Sequence, residues 1–212
     1  MPKAIYTEID IPEIVQKANA LARELNFPLM PEGRPAGYKG PPSACIPQVG
    51  RLLQVLASSK PDGRIGEQGT GVGVGTAWLA SGLRGKAKLI SVEIDPIRAH
   101  AAAKLFVEYP NVEVRTGDWH AVMSPNEPYD LLFMDAMPRG DLVPSKWDAV
   151  IDLVKIGGQM VMDDLTPVEQ WPPEWDGIVD AKREFAFANS QVVGTEVQTT
   201  PTTSALIVTR IR

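Results

Sequence analysis

Apolar residues fall at helical spacing in two early stretches, and then at alternating strand and helix periods for most of the chain. Ile14, Ala18, Leu21 and Leu25 recur every three or four residues, which predicts a helix over 14–25. Val49, Leu52, Leu53 and Leu56 predict a second over 47–58. Between them, residues 27–42 hold five prolines and three glycines, a composition that excludes regular structure and predicts a long cover loop. From Arg64 the pattern changes. Short apolar runs at 64–68, 88–93, 112–115, 130–135 and 158–163 read as strands, with helical stretches 75–82, 96–108 and 145–155 between them. On the helix at 96–108, Ile97, Ala101 and Leu105 are expected to line one side, behind Pro96 in the first turn. Such alternation predicts a parallel sheet covered on both faces. The end of the chain breaks the rhythm: after a helix over 177–189, residues 191–198 and 204–211 are both β-rich with no helix between them. That is a hairpin, so one of its strands must run antiparallel to the rest.

A chain of 212 residues with 44% hydrophobic and 22% charged residues has an ordinary globular composition and is long enough to bury a full core. We expect a single domain over 1–212, with N-terminal helices and the cover loop in 1–60 and the sheet in 61–212. The net charge of −5, from 21 basic and 26 acidic residues, argues against a nucleic-acid partner. The absence of a long apolar run or an apolar leader core points to a cytoplasmic protein with no membrane partner. Cys45 is the lone cysteine, which excludes an internal disulfide and a thiolate metal cluster.

The chemistry begins at residues 64–76, R-I-G-E-Q-G-T-G-V-G-V-G-T, where a strand runs into alternating glycines and then a helix. Such a loop lets the backbone approach a ligand closely at a helix N-terminus. The dinucleotide pattern G-x-G-x-x-G fails in both registers, because its third glycine would be Val74 or Thr76. The P-loop fails too, since Gly85-Lys86 is followed by Ala87. What remains is Glu67 followed by Gly69, Gly71 and Gly73.

Carboxylates then recur at strand ends. Glu93 lies 22 positions after Gly71 (93 − 71), close to the offset of about 20 expected of a ribose-binding acid. Its neighbour Asp95, just before Pro96, better suits a helix cap. Asp135 closes the fourth strand, and Asp163 and Asp164 close the fifth. In a parallel sheet these ends share one edge, where three carboxylates repel unless a proton or cation joins them. Oxygen ligands of this kind suit Mg²⁺, Ca²⁺ or Mn²⁺.

The glycine loop resembles the S-adenosylmethionine loop of class I methyltransferases. With the strand-end acids, the chain is similar to the cation-dependent O-methyltransferases of the catechol and caffeoyl-CoA type, over roughly residues 45–165 and the terminal hairpin. The resemblance implies the Rossmann-like class I methyltransferase fold: an α/β architecture with a seven-stranded, mostly parallel sheet, a C-terminal antiparallel hairpin and helices on both faces. It implies S-adenosylmethionine as cofactor, held by Glu67, Gly69, Gly71, Gly73, Glu93, Asp118, Trp119, His120 and Asp135. In that scheme Glu67 orders the loop or reaches the ligand's ammonium group, Asp118 meets the adenine amine, and Trp119 and His120 flank the base. Asp135, Asp163 and Asp164 fall on the family's metal positions, Asp164 replacing an amide, with Asp135 catalytic through a divalent cation such as Mg²⁺. The alternative is that Asp163 and Asp164 cap the strand while Asp135 contacts cofactor alone. The family's lysine three residues after the first metal Asp is Pro138 here; Arg139 is always charged and Lys146 lies inside the next helix.

O-methylation of a small hydroxylated acceptor, aromatic ones included, is the expected reaction. An aminopropyltransferase, a metal-independent methyltransferase or a non-catalytic cofactor-binding protein are the alternatives. Trp171 and Trp175 are expected either as a lid over the acceptor or as core against the helix at 177–189. The resemblance also admits a homodimer, although no stretch singles out an interface.

Overall fold

The computed structural model describes residues 10–30, 33–38, 40–125, 128–136 and 144–212. Helices α1 (Glu13–Glu24) and α2 (Pro47–Ser58) precede the alternating core. That core runs β1 (Arg64–Gln68), α3 (Val74–Gly82), β2 (Lys88–Glu93), α4 (Pro96–Leu105), β3 (Val112–Thr116), α5 (Trp119–Met123), β4 (Tyr129–Met134), α6 (Pro144–Asp152) and β5 (Val154–Leu165). Helix α7 (Ala181–Ala188) leads into the hairpin of β6 (Val192–Thr200) and β7 (Thr203–Arg210).

The strands form one seven-stranded sheet in the order β3-β2-β1-β4-β5-β7-β6. Pairings from β3 through β5 are parallel, while β7 runs antiparallel to both β5 and β6. Alternate residues of each strand serve opposite layers, as the pleat requires. Leu89, Leu131 and Phe133 pack with Val15, Leu53 and Trp78 in the α1–α2–α3 layer. Ile90, Leu132 and Met134 pack with Met123, Ile151 and Phe185 in the α5–α6–α7 layer. There Trp147 stacks on Phe185, ring centroids 4.1 Å apart and 9° from parallel.

Several sequence expectations need adjusting. On α4 the buried face is Ala99 and Ala102, continued by Phe106, while Ile97 is 75% exposed. The periodicity of Ile97, Ala101 and Leu105 is one residue stripe away from the side that meets the sheet. Strand β5 is twice the expected length, and Gly157, at φ +82°, lies in the irregular stretch that sets its extra residues against β4. Helix α7 starts at Ala181, not 177, because Asp180 caps it by accepting hydrogen bonds from the Lys182 and Arg183 N–H groups. After β3 a short helix that no apolar period announced, α5, begins at Trp119 behind its cap Asp118. Among the described residues, no helix is long and apolar enough to cross a membrane.

Candidate active site at the carboxyl edge

Strand order reverses direction between β1 and β4, so their carboxyl ends open a crevice, the usual ligand position in such sheets. The glycine loop fills one side of it. Gly69, Gly71 and Gly73 have φ of +97°, +55° and +92°, a left-handed path that side chains resist. The loop is pinned from beneath: the Gly69 and Thr70 N–H groups donate to the Val92 carbonyl (2.9 and 3.1 Å) and Gly73 N–H to Thr70 (2.8 Å). Asp135 and Ala136 N–H both donate to the Gln68 carbonyl at 2.9 Å, which sets the end of β4 against the loop. A Cβ on Gly69 would lie 2.5 Å from that of Ala136, and one on Gly71 would press the Phe27 ring at 3.1 Å.

Glu67 sits under this loop, fully buried. Its Oε2 accepts from the hydroxyls of Thr76 and of Ser91 (2.5 Å), and Thr70 joins the network through Ser91. Among the described residues its Oε1 is buried without a partner. Burial pushes its proton affinity up to about 8 against the pull of those hydroxyls. Of the two roles expected for Glu67, ordering the loop is the one its contacts serve.

Glu93, at the end of β2, is 5% exposed. Its Oε2 accepts from Gly71 N–H at 2.8 Å, and its Oε1 from Asp95 N–H at 3.0 Å and Arg98 Nη2 at 2.9 Å. A carboxylate has about four acceptor positions, so one remains for a ligand. Asp95 caps α4 as expected, accepting from Ile97 and Arg98 N–H. Ile94, 71% exposed, stands beside Glu93 where Gly117 N–H meets the Glu93 carbonyl (2.9 Å). Next to it Asp118 caps α5 through Ala121 N–H (3.0 Å), and Trp119 meets His120 edge to face with centroids 5.5 Å apart. Asp118 and His120 are exposed and Trp119 is half-buried. His100 is exposed on α4.

On the other side of the crevice, Asp135, Asp163 and Asp164 each bring a carboxylate oxygen within 4.8 Å of the others. Asp164 has φ +59°, in an irregularity of the β5–β7 pairing. That left-handed turn, which Asp tolerates, brings two successive carboxylates to one cluster where a regular strand would send them to opposite faces. Burial, and next the Asp164 charge, hold the Asp135 and Asp163 carboxyls well above the usual range. Burial also raises Asp164, opposed by Arg34 and Lys182. Among the described residues no hydrogen-bond donor reaches the Asp135 or Asp163 side chains. Three oxygen donors converging with that need for positive charge fit a hard divalent cation. Cys45 is buried nearby, its thiol held neutral by burial and by Asp163 and Asp135.

Sequence spacing had no means of finding four of the neighbours. Arg34 pairs with Asp164, Lys182 Nζ donates to the Asp163 carbonyl at 2.8 Å, and Phe27 and Arg98 stack beside Gly71 and Glu93. Arg34 and Phe27 come from far away in the chain, Lys182 from 19 residues beyond Asp163, and Arg98 from the helix that directly follows Glu93. Trp171 and Trp175 meet edge to face at 5.8 Å. Trp175 approaches Gly37 of the cover loop, and Trp171 lies under Arg183 of α7 (5.4 Å). Pro138 and Arg139 lie outside the described residues, as does the side chain of Lys146.

This is the Rossmann-like class I methyltransferase fold, and residues 67–165 match the model of the methyltransferase domain family. Among relatives, a provisionally named O-methyltransferase of Mycobacterium sp. (strain JLS) is 33% identical over 125 residues, and one of Mycobacterium sp. (strain KMS) is 37% identical over 125. The match covers 56% of this chain and 56% of each relative, so the chain spans a little over half the length of the curated relatives it matches. The solved O-methyltransferase of Bacillus cereus in complex with SAH superposes with a TM-score of 0.71 at 20% identity, covering 96% of this chain and 94% of that one. TomG of Streptomyces achromogenes, in complex with SAM, gives 0.72 at 23% identity, covering 96% and 92%.

Proposed function

We propose that the chain is an S-adenosylmethionine-dependent methyltransferase that works as one domain and methylates the hydroxyl of a small molecule. One observation carries this: Gly71 N–H and Glu93 meet at 2.8 Å one strand away from an acidic cluster, so a cofactor cradle and an acceptor-side cluster share one crevice. The relatives named as O-methyltransferases support the acceptor atom. The net charge of −5 supports a small molecule over nucleic acid.

The cradle fits the cofactor: its glycines leave room that a Cβ would fill, and Glu93 retains an acceptor position for a ribose hydroxyl. Asp118, Trp119, His120 and the exposed Ile94 provide a polar and apolar rim for the base. Bound there, S-adenosylmethionine supplies a methyl group activated on a sulfonium centre. Gly69–Gly73 hold one reactant by backbone contact while Asp135, Asp163 and Asp164 face the other, so the chain's contribution is alignment. Asp135, Asp163 and Asp164 would hold a divalent cation, whose charge would acidify the acceptor hydroxyl. Trp175 and the cover loop exclude water from that side.

Calorimetric titration with S-adenosylhomocysteine, NAD as control, in Mg²⁺ and again in chelator, tests this reading. Micromolar binding of the first ligand alone is expected. Glu93→Ala should weaken it by at least about tenfold, the scale of a lost charge-assisted hydrogen bond. Unchanged affinity would remove Glu93 from the cradle, and no binding in either condition would remove the methyltransferase reading.

A further inference from the structure

The cover loop reaches the acidic cluster through one side chain. The Arg34 guanidinium pairs by Nη1 with Asp164 Oδ2, both side chains 24% exposed. Its other nitrogens are anchored inside the loop: Nε donates to Ser43 Oγ at 2.8 Å and Nη2 to the Ser43 carbonyl at 3.3 Å, with Tyr38 5.7 Å below the plane. Asp163, 3% exposed and with no donor on its side chain among the described residues, faces the same cluster and still needs positive charge.

From this contact we infer that Arg34 is a resident counter-charge that competes with a divalent cation for Asp164. The inference rests on the cation reading of the cluster given above. A cation bound by all three carboxylates needs an Asp164 oxygen, and Arg34 holds one. Two positive centres on one carboxylate repel strongly in a buried setting. Because Ser43 fixes the rest of the guanidinium, Arg34 leaves Asp164 only if its stretch of loop moves too. That stretch is one wall of a cavity of about 100 Å³ formed with Gly37, Tyr38, Asp164, Trp175 and Thr203. Cation occupancy is therefore linked to the width of the acceptor side.

The test is Mn²⁺ binding, read by the paramagnetic resonance of the free ion, in the wild-type chain and in Arg34→Gln. The variant should bind at least about tenfold tighter, and saturating Mn²⁺ should speed amide exchange over residues 33–38 in the wild-type chain. Equal or weaker binding by Arg34→Gln overturns the competition, as does unchanged exchange. Arg34→Lys keeps the charge and should stay close to wild type; if it binds as tightly as Arg34→Gln, loop loosening is the cause and the competition falls. Asp163→Asn should abolish binding in both backgrounds; retained binding places the ion elsewhere and overturns the inference. If no form binds Mn²⁺, the inference and the cation reading fall together, while S-adenosylhomocysteine titration still reports on the methyltransferase reading.

Discussion

Glu67 shows how one buried residue can order a loop from beneath. It keeps its proton in the folded protein up to about pH 8, whereas the unfolded chain releases it near about 4.3. Between those values the folded state binds more protons, so the stability Glu67 contributes falls as pH rises and levels off above the window. Glu67→Gln stays neutral throughout. Its stability relative to wild type should therefore rise from about pH 5 to about pH 8 in urea denaturation series. A gap that does not change with pH would mean that Glu67 ionises normally. The sequence marked Glu67 as an acid beside glycines; it carried no sign of the Thr76 and Ser91 hydroxyls that decide its role, since Ser91 arrives from the neighbouring strand.

At the scale of elements, the strand-to-helix turn at Gly69–Gly73 is the most constrained piece. Its left-handed path and the approach of Ala136 leave no place for a side chain at Gly69. Gly69→Ala should lower stability by about 1–3 kcal/mol and cost most of the affinity for S-adenosylhomocysteine, because the end of β4 must move away from the loop. Wild-type affinity in this variant would show that the β1–β4 crevice is not the cofactor site. Here the linear pattern was informative, since alternating glycines after a strand have few structural uses. For α4 it was not. Ile97 and Leu105 promised the buried stripe, yet the small Ala99 and Ala102 face the sheet, because close helix–sheet contact selects small side chains over long ones.

Across the whole molecule, Arg183 ties together parts that no local rule connects. It donates through Nε and Nη2 to Glu196 of β6 (2.8 and 2.6 Å), through Nη1 to Asp180 (3.0 Å) and through Nη2 to the Thr166 carbonyl beyond β5 (2.8 Å), and it lies over Trp171. Arg183→Leu should reduce unfolding free energy by about 2–3 kcal/mol, since it strands the half-buried Glu196 and frees the tryptophan segment. The cofactor crevice lies on the other half of the sheet, so S-adenosylhomocysteine affinity should stay within about twofold of wild type. A large loss of affinity would mean that the hairpin and the crevice are mechanically coupled.

Apolar periodicity, the glycine loop and acids placed at strand ends were enough to determine the succession of strands, the hairpin and the gathering of Glu93, Asp135, Asp163 and Asp164 at one sheet edge. These follow from local sequence because strand and helix periods, turn chemistry and the carboxyl edge of a parallel sheet are set over a few residues at a time. The tertiary structure alone decided what surrounds those acids. Arg98 on Glu93, Arg34 and Lys182 at the aspartate cluster, and Phe27 over the glycine loop are brought together by folding from separate elements. Charge pairing and burial act through space, and the fold sets those distances independently of separation along the chain.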